Sequence, residues 1–323
     1  MRRGDWQPTA TLARLRRRAD LLGRTRRFFA ERAVLEVDTP MVINAPVTDP
    51  HIHSARVTLT EAPAPQPFYL HTSPEYAMKR LLAAGSGDIY QICHVVRALE
   101  RGRLHNAEFT LIEWYRLGMP LADLMSEVDA LVRDLLGSTA EGLGTVRLSY
   151  REAFLSELGL DPFTAPTGAL ASAAREAGYP GAGSDRDELL ELLMGTCIGP
   201  RLGQRSLAFV QGYPASQAAL ARLDPRDARA AQRFELYCEG VELANGFHEL
   251  ADPAEQRARF ERDLRERRRL GLESTPSDER LLEALRAGLP DCSGVALGFD
   301  RVLMLATGAA HIDEILPFPI ERA

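Results

Sequence analysis

Arg97-Ala98-Leu99-Glu100-Arg101-Gly102-Arg103-Leu104-His105-Asn106-Ala107-Glu108-Phe109, running on into Glu113-Trp114-Tyr115, carries the strongest signal in this chain. Residues 88–96 and 107–117 read as two strands around a turn that holds Arg, Glu, Arg, His and Asn. Planar guanidinium forks match phosphate oxygens, so arginine and imidazole on one turn suit a polyphosphate. An aromatic on the return strand suits a stacked base. By itself the segment also fits an ordinary solvated hairpin turn.

Two more segments have this double character. Glu235, Glu242 and Glu249 are spaced by seven, with Asn245 between the last two. The β-rich composition and Gly240 predict two strands and a turn, which is expected to bring Glu235 and Glu242 together. Adjacent carboxylates suit Mg2+, a hard cation that seeks oxygen, and a further one suits a substrate ammonium. Gly294-Val295-Ala296-Leu297-Gly298-Phe299-Asp300-Arg301 predicts a short strand of small residues that admits a ligand close to the backbone. Arg301 then falls in the first turn of the next helix. Exposed strand acids and a strand-to-helix packing turn are the plain alternatives.

Outward from these segments, apolar spacing predicts an amphipathic helix over 11–32, and Glu36 to Pro40 reads as extended. Thr72-Ser73-Pro74-Glu75 starts a helix with Ser73 as N-cap and Pro74 at N1, and Gly85 ends it. Helices are expected near 121–136, 150–158, 168–177, 186–195, 253–270, 278–287 and 299–307, with strands near 207–212, 232–239, 241–247 and 294–298. Strands in adjacent pairs joined by short turns favour an antiparallel sheet. The expectation is one α+β domain over residues 1–323, an antiparallel sheet flanked by helices.

Composition narrows the class. The 323 residues are 45% hydrophobic and carry a net charge of −6, which suits a buried core and excludes a disordered or collagen-like chain. No apolar run reaches the ~18 residues of a membrane helix, and no signal peptide is read. Four scattered cysteines point to a reducing cytoplasm. Lys79 is the only lysine. Residues 1–32 hold ten arginines against three acids, which reads as a solvated helix face or as a docking surface for an acidic partner.

Together and in this order, the segments resemble the three signature motifs of class II aminoacyl-tRNA synthetases. Phe28 to Pro40 resembles motif 1, the dimerisation helix and strand; Arg97 to Phe109 resembles motif 2; Gly294 to Arg301 resembles motif 3. Thr72-Ser73-Pro74-Glu75, His105-Asn106, Glu113-Trp114-Tyr115 and Glu242 to Glu249 resemble the lysyl-tRNA synthetase branch. Tyr213-Pro214-Ala215-Ser216-Gln217-Ala218 and Asp291 to Gly298 resemble the paralogues of that branch that modify elongation factor P. The likeness runs from about Trp6 to Ala323. Leu99 departs from it, because motif 2 usually has an acid there that helps recognise adenine; Glu100 follows instead. Ala33 stands where motif 1 often has Gly, with little consequence expected.

The resemblance implies a cytoplasmic homodimer with a synthetase-like catalytic core and no anticodon-binding domain. It implies ATP and Mg2+, elongation factor P and (R)-β-lysine as partners, and no tRNA. Arg97 and Arg301 are the implied catalytic residues, gripping phosphates. Glu100, His105, Asn106, Phe109, Glu242, Leu243 and Gly298 complete the implied ATP site, with Glu235 and Glu242 on the metal. Ser73, Pro74, Glu75, Glu113, Tyr115, Asn245, Glu249 and Ala296 are the implied amino-acid site. Ala296 replaces the glycine general in lysyl-tRNA synthetases; its methyl crowds an α-amino group and spares a β-placed one, at about 1–3 kcal/mol. A free-standing activating enzyme that charges tRNA, and an inactive paralogue that senses an amino acid, are the competing expectations.

Overall fold

The computed structural model describes residues 6–59, 67–181, 183 and 185–323. Its strands are β1 (Leu35–Glu36), β2 (Val42–Ile43), β3 (Arg56–Val57), β4 (Phe68–Leu70), β5 (Ile89–Val96), β6 (Glu108–Leu117), β7 (Gly144–Ser149), β8 (Ser206–Gln211), β9 (Leu223–Asp224), β10 (Asp227–Ala231), β11 (Arg233–Cys238), β12 (Val241–His248) and β13 (Cys292–Gly298). Its helices are α1 (Leu12–Ala30), α2 (Glu75–Ala83), α3 (Leu121–Leu136), α4 (Tyr150–Leu158), α5 (Thr167–Glu176), α6 (Arg186–Leu193), α7 (Pro253–Arg269), α8 (Glu279–Gly288) and α9 (Phe299–Thr307). The chain divides into two compact units: Met1–Met119, Ala130–Thr139 and Leu250–Ala323 form the first, Pro120–Asp129 and Ala140–Glu249 the second.

The first unit is built on the strand order β1-β5-β6-β13. β5, β6 and β13 run antiparallel, while β1 lies parallel to β5 with Leu35 opposite Ile89. α1 starts where the Thr11 hydroxyl accepts from the Arg14 N–H, and it buries Leu21, Phe28 and Phe29. Phe29 stacks on Tyr90 at 4.3 Å and meets Trp114 edge-on at 5.3 Å, so the helix covers the Tyr90/Trp114 face of the strands. Arginine at the same surface does more than stay solvated. Arg18 pairs with Asp300 at 2.5 Å, and Asp300 also accepts from the Thr110 N–H at 2.6 Å. Arg14 pairs with Glu314, Arg17 with Asp20 and Arg26 with Glu36, so part of this arginine face is engaged in internal ion pairs; Arg2 and Arg3 lie outside the described residues.

Ala33, between α1 and β1, has φ of 53°. That is left-handed backbone, which costs an L-residue with a Cβ about 1–2 kcal/mol. The expected lack of consequence at this position is therefore corrected: the chain turns here in a conformation that suits glycine.

The second unit has the order β12-β11-β8-β7, with β7 parallel to β8 and the rest antiparallel. Tyr150, Phe154, Leu170, Leu189, Leu193 and Val210 form its core, against which α4, α5 and α6 pack. Glu239 and Gly240, at φ 50° and 71°, make the two-residue turn between β11 and β12. A Cβ on Gly240 would lie 2.5 Å from the Pro200 carbonyl oxygen, so only glycine fits. Within the two units, among the described residues, the antiparallel expectation fails at β1 and β7. Each pairs with a strand distant in sequence, so no short turn announces it.

Candidate active site

Alternation along the strands collects one functional face in the first unit. Gln91 lies opposite Glu113, and Glu113 opposite Ala296. On the same face, Ile89, Tyr115 and Gly294 form one row; Cys93, Leu111 and Gly298 form another. Phe109 continues it, opposite Val95. The covering helix α1 takes the other face, that of Tyr90 and Trp114. Hence Phe109, Glu113, Tyr115, Ala296 and Gly298 share a surface because of a two-residue period.

The turn between β5 and β6 holds the cationic end. Arg97 stands over the Phe109 ring at 5.2 Å and pairs with Glu100 at 3.4 Å. Leu99 is 73% exposed, while Glu100 is half-buried against Arg97. Glu100 therefore braces the phosphate-gripping arginine of the resemblance in this structure. Arg301, from the first turn of α9, donates to His105 Nε2 at 2.7 Å and to the Leu104 carbonyl. That contact makes Nε2 the acceptor, and burial followed by the Arg301 charge holds the imidazole below its ordinary pKa. His105 is neutral at pH 7 and steadies Arg301.

Asn106 also has a structural part. It is buried; its amide donates to the Glu108 carbonyl at 2.7 Å and its oxygen accepts from the Ile320 N–H at 3.1 Å. Each end makes one hydrogen bond, so Asn106 ties the turn to the C-terminal segment and keeps a further donor and a further acceptor position. Arg101 reinforces the tie, forking onto Asp313 at 2.8 and 2.9 Å and onto Glu321 at 2.5 and 2.9 Å.

The amino-acid end lies at the start of α2. Pro74, rather than Ser73, takes the N-cap position, yet the Ser73 hydroxyl still accepts from the Glu75 N–H at 3.0 Å. The same hydroxyl donates to Glu113 at 2.7 Å, and the Tyr115 hydroxyl donates to its other oxygen at 2.7 Å. Lys79 Nζ, 1% exposed, donates to Glu75 at 2.6 Å. The buried Glu113 and the partly buried Glu75, with Lys79 paired to Glu75, leave a negative excess suited to an ammonium. Lys79 escaped the sequence reading, although its spacing from Glu75, one helical turn on, was a usable signal.

In the second unit, Glu235 is buried and spends both oxygens. Tyr213 and Tyr237 each donate to Oε2 at 2.6 Å, and Arg233 donates to Oε1 at 2.5 Å. Nor does the hairpin set it opposite Glu242. The unbroken register from Arg233 to Leu236 sets Glu235 opposite Asn245, and a bulge after Leu236 then puts Glu242 opposite Tyr237. Glu235 and Glu242 are thus diagonal neighbours across the hairpin instead of a directly opposed pair, and with both oxygens engaged Glu235 does not fit an inner-sphere Mg2+ ligand as it stands. Among the described residues, no group of three or more His, Cys, Asp or Glu side chains is arranged to hold a metal. Arg233 also donates to Asn245 Oδ1 at 3.2 Å, which turns the Asn245 amide nitrogen outward as a donor. Leu243 is a core side chain, so only its backbone is available to a ligand; Glu249 is buried at the end of β12.

The family profile of class II tRNA synthetases (D, K and N) matches residues 2–322. A Vibrio atlanticus protein named elongation factor P--(R)-beta-lysine ligase is 50% identical, over 98% of this chain and 99% of its own length. Proteins of the same name from Vibrio cholerae and Proteus mirabilis are 49% and 48% identical; the alignments cover 100% and 99% of this chain, and 100% and 98% of theirs. The chain belongs to the class II tRNA synthetase family, and it is an ATP-dependent ligase of that type. Its full-length similarity is to ligases named for elongation factor P and (R)-β-lysine.

Proposed function

We propose that the protein activates (R)-β-lysine with ATP and transfers it to a lysine side chain of elongation factor P, as its relatives are named to do. The observation that carries this reading is the shared face of the first unit, where Phe109, Glu113, Tyr115 and Ala296 line up between the Arg97/Arg301 cations and the Ser73–Lys79 network. In the first step the substrate carboxylate, ionised at pH 7, attacks the α-phosphorus. A new P–O bond forms, the bond to the β-phosphate oxygen breaks, and pyrophosphate leaves. Arg97 and Arg301 are proposed to neutralise charge there, with Phe109 under the base. In the second step a neutral lysine amine attacks the adenylate carbonyl, AMP departs and an amide remains.

Glu75 and Glu113 are the proposed ammonium partners. The Ala296 methyl, in register with Glu113, is the proposed discriminator of amine position. From the resemblance, Asn245 and Glu249 are proposed on the amino acid. Mg2+ is proposed to enter with ATP and meet Glu242; Glu235 would join only by giving up a tyrosine or arginine bond. The whole chain is proposed to act as one catalytic domain, a cytoplasmic homodimer through the motif 1 region, with elongation factor P and not tRNA as acceptor. No described helix is long and apolar enough to cross a membrane.

The test incubates the protein with ATP, elongation factor P and either (R)-β-lysine or α-lysine. A gain of one β-lysyl mass on the factor, larger than the gain with α-lysine, is expected. Amino-acid-dependent pyrophosphate exchange with no mass gain would overturn the acceptor assignment, and charging of bulk tRNA would replace it.

A further inference from the structure

Gln91 lies at the centre of the functional face, and nothing above gives it a role. It is 1% exposed in the middle of β5. Neither its Nε2 nor its Oε1 makes a hydrogen bond of ordinary geometry among the described residues. The Cys93 thiol senses it: burial pushes that thiol up to about 12, Glu113 adds to the rise, and Gln91 opposes it. A thiol is a weak partner, however, and leaves most of an amide's two donor and two acceptor positions unmet. Burying an amide without partners costs stability, and native proteins carry few such groups without a reason.

Position supplies the reason. Gln91 is the direct cross-strand neighbour of Glu113, with Cβ atoms of such pairs about 5 Å apart. Glu113 in turn faces Ala296 across β6 and β13. Gln91, Glu113 and Ala296 thus form one row across three strands. Glu113 already takes the Ser73 and Tyr115 hydroxyls, and Lys79 faces Glu75. A carboxylate at position 91 would set like charge beside Glu113; an amide offers an acceptor without that repulsion.

We propose that Gln91 is a substrate-binding and specificity-determining residue whose Oε1 accepts a hydrogen bond from an ammonium group of the diamino-acid substrate. This inference deepens the proposed function and rests on its assignment of the face to the amino acid. It assigns the row Gln91–Glu113–Ala296 as the ruler that senses where the amine stands along the substrate.

The experiment compares Gln91→Met and Gln91→Glu with the wild type in amino-acid-dependent pyrophosphate exchange and in thermal melting. Met keeps the length and removes the unmet polar atoms. Its Tm is therefore expected to equal or exceed the wild-type value, while KM for (R)-β-lysine rises about tenfold and KM for ATP stays within about twofold. Gln91→Glu is expected to change the preference between (R)-β-lysine and α-lysine. An active wild type whose Gln91 variants keep both the amino-acid KM and the preference overturns this inference alone. So does a Gln91→Met protein with lowered Tm and both KM values raised together, since that is a packing role. A wild type inert in exchange with every diamino acid overturns the proposed function and this inference with it.

Discussion

Ala33 illustrates how a residue's identity and its backbone can disagree. The sequence motif tolerates Ala or Gly there, and only the φ of 53° reveals the strain. Gly relieves about 1–2 kcal/mol of left-handed strain but adds about 0.5–1 kcal/mol of unfolded-state entropy. Ala33→Gly is expected to stabilise by about 0.5 kcal/mol, seen as a rise of about 1–2 °C in Tm; a lower Tm would count against the strain. Lys79 and Gln91 belong to the same scale. Each is a single letter whose meaning is its neighbour, Glu75 for one and Glu113 for the other.

Among elements, α1 is held to β6 and α9 by more than its apolar stripe. Arg18 reaches Asp300, 2% exposed, and Asp300 also holds the Thr110 N–H. Removing one partner of a buried pair leaves the other charge uncompensated, at about 3–5 kcal/mol. Arg18→Ala is expected to lower the denaturant midpoint by that amount of stability. Arg16→Ala, on the exposed side of the helix, is expected to change stability by less than about 0.5 kcal/mol. Equal effects would return Arg18 to the solvated face that the charge count suggested. The helices and the β5–β6 and β11–β12 hairpins were legible because period and turn chemistry are local. The strands β1 and β7 were not, since their partners come from distant sequence. The register and the bulge of the β11–β12 hairpin were equally hidden; together they set Asn245 opposite Glu235 and Glu242 opposite Tyr237.

For the whole molecule, burial of ionisable groups sets the response to pH. His71 and His105 both lie below the ordinary histidine value, each chiefly through burial. Between their folded values and about 6.5 the unfolded chain binds more protons, so stability rises with pH across that window and falls as pH drops below about 6.5. Glu152, Glu279, Glu314 and Glu321 are held below the usual glutamate value, chiefly by hydrogen bonds. Their contribution is fully present above about 4.5 and is lost at lower pH. Asp263 opposes that second loss, because burial raises it. Thermal melts from pH 8 to 4 are expected to show two declines, with His105→Asn flattening the first. A flat profile down to pH 5 would contradict the buried neutral histidines.

The sequence by itself determined the class of chain and the roster of chemistry. Motif order is a covalent property, and arginines, carboxylates and an aromatic at set spacings survive any uncertainty about packing. Periodicity likewise fixed most helices and the main hairpins, because it depends on neighbours a few residues away. Only the tertiary structure decided which groups remain for a ligand. Glu235 carries the right chemistry but spends both oxygens on two tyrosines and Arg233, and Asn106 gives part of its amide to Glu108 and Ile320. Gln91, which no motif marks, is buried beside the substrate acids with its amide unspent. Hydrogen-bond capacity is finite and is allotted by contacts between residues far apart in the chain, so no reading of spacing alone assigns it.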